Sequence, residues 1–170
     1  LPAFGLGVAD VAEQQAFGVE RSTRAKLFNE TLEVVRKCWS DDVVNHDGEF
    51  FQLSNLRVLP KPQQQPPEVW LGGIAPSELK RIARTADGWL PSFVTPTDAA
   101  AGWATISEHA NVHNRSIDPE HFGVLIPYAL GEVPNALMAG LAARRPDLAD
   151  PSVLVPNSWD ALTQTIQDFI

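Results

Sequence analysis

The sequence has little sulfur and a deficit of positive charge. Cysteine occurs once among 170 residues, at Cys38, so an intrachain disulfide is excluded and a reducing, cytoplasmic setting is expected. The chain carries 13 Lys and Arg against 21 Asp and Glu, a net charge of −8. Because nucleic acids and anionic membranes bind basic surfaces, neither is expected as a partner. No apolar run approaches the roughly 20 residues that cross a bilayer.

Several catalytic signatures are also missing. The sequence contains no Gly-x-Ser-x-Gly, no Walker loop and no Cys-x-x-Cys. Gly5-Leu6-Gly7 is a glycine pair without the third glycine of a dinucleotide-binding loop. His109 and His113 stand four residues apart on a predicted helix, but no Glu follows His109 directly and no third ligand is evident. We therefore expect no metal site, and a solvated helix face at both histidines.

What the sequence does contain is an alternation of short apolar runs and amphipathic helices. Apolar periodicity predicts a helix over residues 23–39, and Pro76 opens a second helix that ends before Gly88. Further helices are predicted at 95–114, 134–144 and 157–170, a strand pair within 46–59, and strands at 69–71, 88–91 and 122–130. Strands separated by helices predict βα units, a parallel sheet and an α/β fold.

The most informative local feature is the turn Gly72-Gly73-Ile74-Ala75, between a buried strand and a helix. Two glycines there leave backbone N–H groups unshielded, and the helix N-terminus adds partial positive charge, which suits a phosphate. The alternative is a tight turn with no ligand. Trp89, on the next strand, is either the wall of a cofactor pocket or ordinary core.

Several segments, in order along the chain, resemble the luciferase-like monooxygenases and their deazaflavin-dependent relatives. The similarity lies in Gly5-Leu6-Gly7 with Glu13 and Phe17-Gly18-Val19, Arg24–Trp39, His46–Phe51, Leu59–Pro62, and Pro67–Gly73 with Ala86–Pro91. The resemblance covers residues 1 to about 130.

This resemblance implies a partial (β/α)8 TIM barrel with about four parallel strands. Residues 1–170 are then a single domain, the C-terminal portion of the barrel, without its first strands and its closing strand. Half a barrel leaves unpaired strand edges, so we expect a fragment of a longer enzyme or a chain completed by another copy or by the missing half.

The resemblance also implies an oxidoreductase that uses the deazaflavin coenzyme F-420 for hydride transfer with a small organic substrate. An FMN-dependent monooxygenase is the first alternative, and a cofactor-free binding module the second. The cofactor-binding residues would be Gly72, Gly73, Ile74, Ala75 and Trp89.

The catalytic residues implied by the resemblance are missing or displaced. Several deazaflavin relatives place a catalytic Glu directly after Gly-x-Gly; this chain has Val8 there, and Asp10 is the nearest acid. The catalytic residues are therefore unknown, and we expect them in the missing strands. Arg24 and Glu30 are expected to be structural.

Overall fold

The computed structural model describes residues 2–7 and 11–170. Val8 and Asp10, which bear on the missing catalytic acid, lie outside the described residues. The chain forms two compact units, residues 1–69 and 70–170. The expectation that residues 1–170 are one domain stays a prediction.

The first unit contains a long helix and an antiparallel strand pair. Its elements are β1 (Ala3–Phe4), α1 (Val11–Ala16), α2 (Arg24–Ser40), β2 (Val44–Asp47) and β3 (Gln52–Leu56). Helix α2 matches the predicted helix over 23–39 and buries Leu32. Strands β2 and β3 pair antiparallel with an irregularity between Val44 and His46, which confirms the predicted strand pair.

The second unit repeats strand and helix in the predicted order. Its elements are β4 (Trp70–Leu71), α3 (Pro76–Thr85), β5 (Gly88–Trp89), α4 (Pro96–Val112), α5 (Asn135–Arg144) and α6 (Trp159–Asp168), with short 3₁₀ turns at Pro119–His121 and Pro151–Leu154. Strands β4 and β5 are parallel, with Trp70 opposite Gly88 and Leu71 opposite Trp89. The unit β4-α3-β5 is therefore the βα repeat that the sequence predicts.

The strand predicted over residues 122–130 is largely wrong. Among the residues that the structure describes, this segment forms only two isolated parallel bridges, Trp89 with Phe122 and Ser92 with Leu125. Beyond them the segment turns to another partner: Ala129 and Gly131 donate their backbone N–H groups to the carbonyls of Pro156 and Asn157. The apolar run is thus divided between two partners, which its composition alone cannot show.

The core of the second unit is built around Trp89. Its side chain is fully buried, as are those of Ile82 and Ile106. Gly102 on α4 lies so close beneath the Trp89 ring that a Cβ atom there would collide with it. Helix α3 buries its predicted face, which includes Leu79 and Ile82, and so is fixed against this core.

The helices are too short to be candidates for membrane spans. Helices α2 and α4 have 17 residues each. Across residues 2–7 and 11–170, no helix combines the length and apolarity needed to cross a bilayer.

Candidate functional site

The turn between β4 and α3 has the conformation that its glycines permit. Gly73 adopts φ +103°, a region that residues with side chains rarely occupy. Helix α3 begins at Pro76, which lacks an N–H and suits the first turn. The donors that precede it, the backbone N–H groups of Ile74 and Ala75, point to one place.

An anionic oxygen already lies at that place. The Oε2 atom of Glu78 accepts hydrogen bonds from the N–H of Ile74 at 3.1 Å and of Ala75 at 3.0 Å. Glu78 is in the first turn of α3, where a carboxylate satisfies free N–H groups and the helix dipole. The two N–H groups that the sequence offers to a phosphate are therefore engaged by the chain's own carboxylate.

The surroundings of Gly73 fit an anion cradle with little spare room. A Cβ atom placed on Gly73 would lie 2.5 Å from Glu78 Oε2. A side chain at this position would therefore occupy the space in which the anionic oxygen now sits. A phosphate oxygen reaches these donors only where it displaces Glu78 Oε2, which holds both of them in this structure.

Trp89 supports this turn from within the core. Its indole Nε1–H donates to the carbonyl oxygen of Gly73 at 2.9 Å, and its ring packs against Phe122 with centroids 5.5 Å apart. The side chain is 0% exposed, so it offers no free face to a ligand in this structure. Of the two roles the sequence left open, the structure shows core packing, with an added hydrogen bond to the turn.

Both ends of α3 are held by side chains. At its C-terminal end, the guanidinium of Arg115 donates to the carbonyls of Ala83 and Ala86, each at 2.8 Å. These bonds satisfy carbonyl groups that a helix end leaves without partners. The helix that carries Glu78 is therefore fixed at one end by a carboxylate and at the other by a guanidinium.

A buried arginine ties together more distant parts of the second unit. Arg145 is 5% exposed and donates to Asp98, to Asp147 and to the carbonyl of Phe93. Asp98 also accepts from the N–H of Thr95 at the start of α4. The side-chain hydrogen bonds to Asp147 and then to Asp98 raise the pKa of Arg145 against the opposing effect of burial. The sequence analysis did not predict this network. The spacing of Thr95 and Asp98 is that of a capping box, so it indicates the contact between these two residues but not the contacts of Arg145.

In the first unit, Glu30 fastens the strand pair to α2. Its carboxylate accepts from the N–H of Phe51 at 2.7 Å, from that of Phe50 at 3.1 Å, and from Nε2 of His46 at 3.1 Å. Burial raises the pKa of Glu30, but these hydrogen bonds together outweigh it and hold the pKa below its ordinary value. Lys37 contacts the other ring nitrogen of His46 at 3.1 Å. The structure thus gives Glu30 the structural role that the sequence predicts.

Arg24, the first residue of α2, lies beside a small cavity of the first unit. Within the described residues, its Nη1 atom is buried and has no hydrogen-bond partner. Its side chain lines a cavity of about 220 Å³, together with Leu6, Gly7, Glu13, Gln14, Phe17 and Val19. One nitrogen of the Arg24 guanidinium is therefore buried without the hydrogen bond that buried polar atoms usually make.

Metal ligands do not cluster in the described ranges. In residues 2–7 and 11–170, no three His, Cys, Asp or Glu side chains are placed to share an ion. His109 lies in the last turn of α4, and His113 follows the helix and is exposed.

A family profile decides to which group of proteins the chain is related. The profile, described as luciferase-like monooxygenase, matches residues 3–169. The chain belongs to this family. Its members include flavin- and F-420-dependent oxidoreductases and monooxygenases with TIM-barrel folds, so the α/β fold with parallel strands and helices is confirmed.

A curated relative and two solved structures give the extent of the similarity. A phthiodiolone/phenolphthiodiolone dimycocerosates ketoreductase of Mycobacterium bovis is 31% identical over 98 residues, which are 55% of this chain and 26% of the relative. An F-420-dependent secondary alcohol dehydrogenase, solved with an F-420-acetone adduct, has a TM-score of 0.66 at 21% identity, covering 98% of this chain and 51% of that one.

The second structure is a flavin enzyme. The oxygenating constituent of 3,6-diketocamphane monooxygenase from Pseudomonas putida, solved with FMN, has a TM-score of 0.59 at 14% identity, covering 83% of this chain and 43% of that one. At these identities the structures show a shared fold. The chain spans about a quarter of the ketoreductase's length and about half of each solved chain.

Proposed function

We propose that this chain is the cofactor-binding part of an oxidoreductase that uses coenzyme F-420 for hydride transfer with a small organic substrate. The observation that carries the proposal is the turn Gly72–Ala75. Its Ile74 and Ala75 N–H groups converge on one anionic oxygen, and Gly73 leaves room for that oxygen. Such a turn at the start of a helix suits a cofactor phosphate.

The role of the protein in this proposal is to bind and orient. A deazaflavin supplies a two-electron hydride carrier when it is bound. The phosphate would lie against Gly72, Gly73, Ile74 and Ala75, at the carboxyl end of β4, the end at which TIM barrels place their ligands. Trp89 would act through its hydrogen bond to Gly73 and not by contact with the cofactor ring. The groups that activate substrate would come from the part of the barrel outside this chain.

An FMN-dependent monooxygenase is the alternative, favoured by the FMN-bound structural neighbour. Both cofactors present a phosphate to the same turn, but their rings differ in absorption. An absorption spectrum of the purified full-length protein distinguishes them: one band typical of a deazaflavin supports the proposal, whereas a two-banded flavin spectrum supports the alternative. A protein that binds neither cofactor would contradict both and favour the second alternative, a cofactor-free binding module.

The site is tested by Gly73→Ala in the full-length protein. At φ +103° the methyl group is strained, and it also intrudes on the space of the anionic oxygen, so we expect cofactor affinity at least tenfold weaker, about 1.4 kcal/mol. Gly131→Ala is the matched control. Gly131 has φ +96° with open space around it, so this variant carries the backbone strain without the intrusion.

Fluorescence titration of both variants separates the two effects. Loss of affinity in Gly73→Ala alone supports a phosphate at this turn. Wild-type affinity in a folded Gly73→Ala variant places the phosphate elsewhere. An equal loss in both variants assigns the effect to strain.

We propose further that the protein works as a homo-oligomer or together with the missing half of the barrel. We also propose a reducing, cytoplasmic compartment, because the chain has a single cysteine. Leu125, Tyr128 and Leu130 are each about half exposed on the segment that follows α4 and the 3₁₀ turn Pro119–His121. Such a concentration of apolar side chains is typical of a covered surface. Light scattering on residues 1–170 should show self-association; a monodisperse monomer would contradict the homo-oligomer.

A further inference from the structure

We propose that His46 lies at the centre of a pH-sensitive switch, in which protonation of the imidazole exchanges Lys37 for Glu33 as the partner of Nδ1. His46 belongs to β2, and both partners belong to α2. All three residues lie in the first unit, so the switch does not depend on the proposed function.

The contacts of the two ring nitrogens specify the neutral imidazole. Lys37 Nζ lies 3.1 Å from Nδ1, and an ammonium group can only donate, so Nδ1 is the acceptor and carries no proton. Nε2 lies 3.1 Å from Glu30 Oε1, which also accepts from the N–H of Phe51. Nε2 therefore holds the ring's proton and donates it to the carboxylate. The His46 side chain is 7% exposed, so water competes little for either nitrogen.

A second proton on the ring is incompatible with the present contact of Lys37. Nδ1–H and the ammonium would both be donors, and two like charges would stand at about 3 Å. Lys37 must then withdraw. An acceptor is already beside it, because Glu33 Oε1 lies 3.7 Å from Nδ1 and 2.7 Å from Lys37 Nζ. Glu33 is 57% exposed, so its side chain can close this distance without disturbing the core.

The charge on Glu33 suits it to this role. The hydrogen bond from Lys37 is the main cause that holds the pKa of Glu33 below its ordinary value, against the opposing effect of burial. The carboxylate is therefore ionised throughout the range in which imidazoles gain a proton. When Lys37 withdraws, the imidazolium takes its place as the positive partner of Glu33.

The remaining charges beside His46 come from α2 and from the strand pair. In the part of the chain that the structure describes, the cleft at His46 is lined by the charged side chains of Lys26, Glu30, Glu33, Lys37, Asp47 and Glu49. Lys26 and Glu49 pair with each other at 3.3 Å, and Asp47 is exposed. The partners of the ring are thus two carboxylates and one ammonium. A proton on His46 brings the charge of this group to zero, so the acid form needs no further counter-ion.

The strand pair stays fastened to α2 in both states. Glu30 keeps Nε2 and the N–H groups of Phe50 and Phe51 whether or not Nδ1 is protonated. The second link between α2 and β2 is the one that changes, from Lys37 in the neutral state to Glu33 in the acid state. The switch therefore frees an ammonium group beside the strand pair without releasing the pair.

The test is the crystal structure of the full-length protein at about pH 8 and at about pH 5, the two ends of the range in which imidazoles ordinarily titrate. We expect Lys37 Nζ at hydrogen-bond distance from Nδ1 at the higher pH. At the lower pH we expect Glu33 there, with Lys37 beyond that distance. Nuclear magnetic resonance of protein labelled with ¹⁵N in histidine should show a proton on Nε2 alone at the higher pH and on both nitrogens at the lower. His46→Gln identifies the signals of this ring.

Lys37→Met tests the contact in the neutral state. Loss of the ammonium donor should move the ¹⁵N resonance of Nδ1 downfield at about pH 8, because this nitrogen no longer accepts a hydrogen bond. Lys26→Met is the matched control: it removes the same charge from the same helix, but Lys26 pairs with Glu49 and not with His46. The resonance should not move in this variant.

Four results would overturn the switch. Lys37 could remain on Nδ1 at the lower pH, or the ring could stay neutral there, and in either case no exchange takes place. A proton on Nδ1 at the higher pH would mean that Lys37 does not donate to it. Equal movements of the Nδ1 resonance in Lys37→Met and Lys26→Met would assign the effect to net charge and not to the contact.

Discussion

Trp89 donates its indole N–H to the carbonyl oxygen of Gly73, with 2.9 Å between the two heavy atoms. The bond joins β5 to the turn that follows β4, because the two strands run parallel and end side by side. A fully buried side chain from the core therefore fixes the backbone at the candidate phosphate site. The proposed binding site thus depends on core packing as well as on glycine.

This relationship predicts the effect of Trp89→Phe. The substitution keeps an aromatic ring in the core but removes the only donor of the indole, and leaves the Gly73 carbonyl without that partner. We expect a loss of stability of about 1–3 kcal/mol and cofactor affinity weakened several-fold. Chemical unfolding and a cofactor titration measure the two effects.

Trp103→Phe is the control for Trp89→Phe. Trp103 is half-buried and also packs against Phe122, with ring centroids 5.9 Å apart. It should cost less stability and leave cofactor affinity unchanged. If Trp89→Phe binds the cofactor as tightly as wild type, the hydrogen bond to Gly73 does not position the site.

Much of the local structure could be predicted from the sequence because its signals are local. Pro76, Glu78 and Gly88 delimit α3 through helix-end chemistry, and apolar periodicity locates α2. The same reasoning places the Gly72-Gly73 turn between a strand and a helix. The sequence did not reveal that Glu78 accepts hydrogen bonds from the N–H groups of this turn. The usual capping box has Ser or Thr at the N-cap, whereas α3 has an alanine there.

The features that could not be predicted depend on partners far away in sequence. Arg145 pairs with Asp98 across 47 positions, and nothing near either residue specifies the other. The run over 122–130 has strand-like composition, but its last donors bond to residues 156 and 157. The catalytic acid stays unassigned, since Val8 and Asp10 lie outside the described residues.

The hydrogen bonds of Glu30 predict a pH dependence of stability. Because they hold its pKa below the ordinary value of 4.5 in the folded chain, the carboxylate contributes stability above that value, and the contribution is lost as pH falls through the lower, folded pKa. Glu30→Gln should therefore be less stable than wild type at neutral pH, with a difference that shrinks in acid. Thermal unfolding midpoints measured across this range test it.

Other ionisable groups face Glu30 and must be controlled. His46 contacts it directly, while Lys37 and Glu33 lie beside His46. Glu49→Gln is the control, since Glu49 is exposed and pairs with the exposed Lys26. It should change the midpoint little at any pH, because exposed ion pairs contribute little. A constant difference between Glu30→Gln and wild type at all pH values would contradict the prediction.

Arg24 provides the last prediction, which concerns a charge without a visible partner. Its Nη1 atom is buried and unpaired within the described residues, and burial of an unpaired polar group costs about 1–3 kcal/mol. Arg24→Met keeps most of the side chain's length and removes this cost. We therefore expect unfolding by denaturant to show unchanged or higher stability.

Arg115→Met is the contrasting control: Arg115 donates to the carbonyls of Ala83 and Ala86 at 2.8 Å, so its replacement should destabilise the protein. If Arg24→Met destabilises the protein as much as Arg115→Met does, Arg24 is paired in the full-length protein, as the structural role expected from the sequence requires.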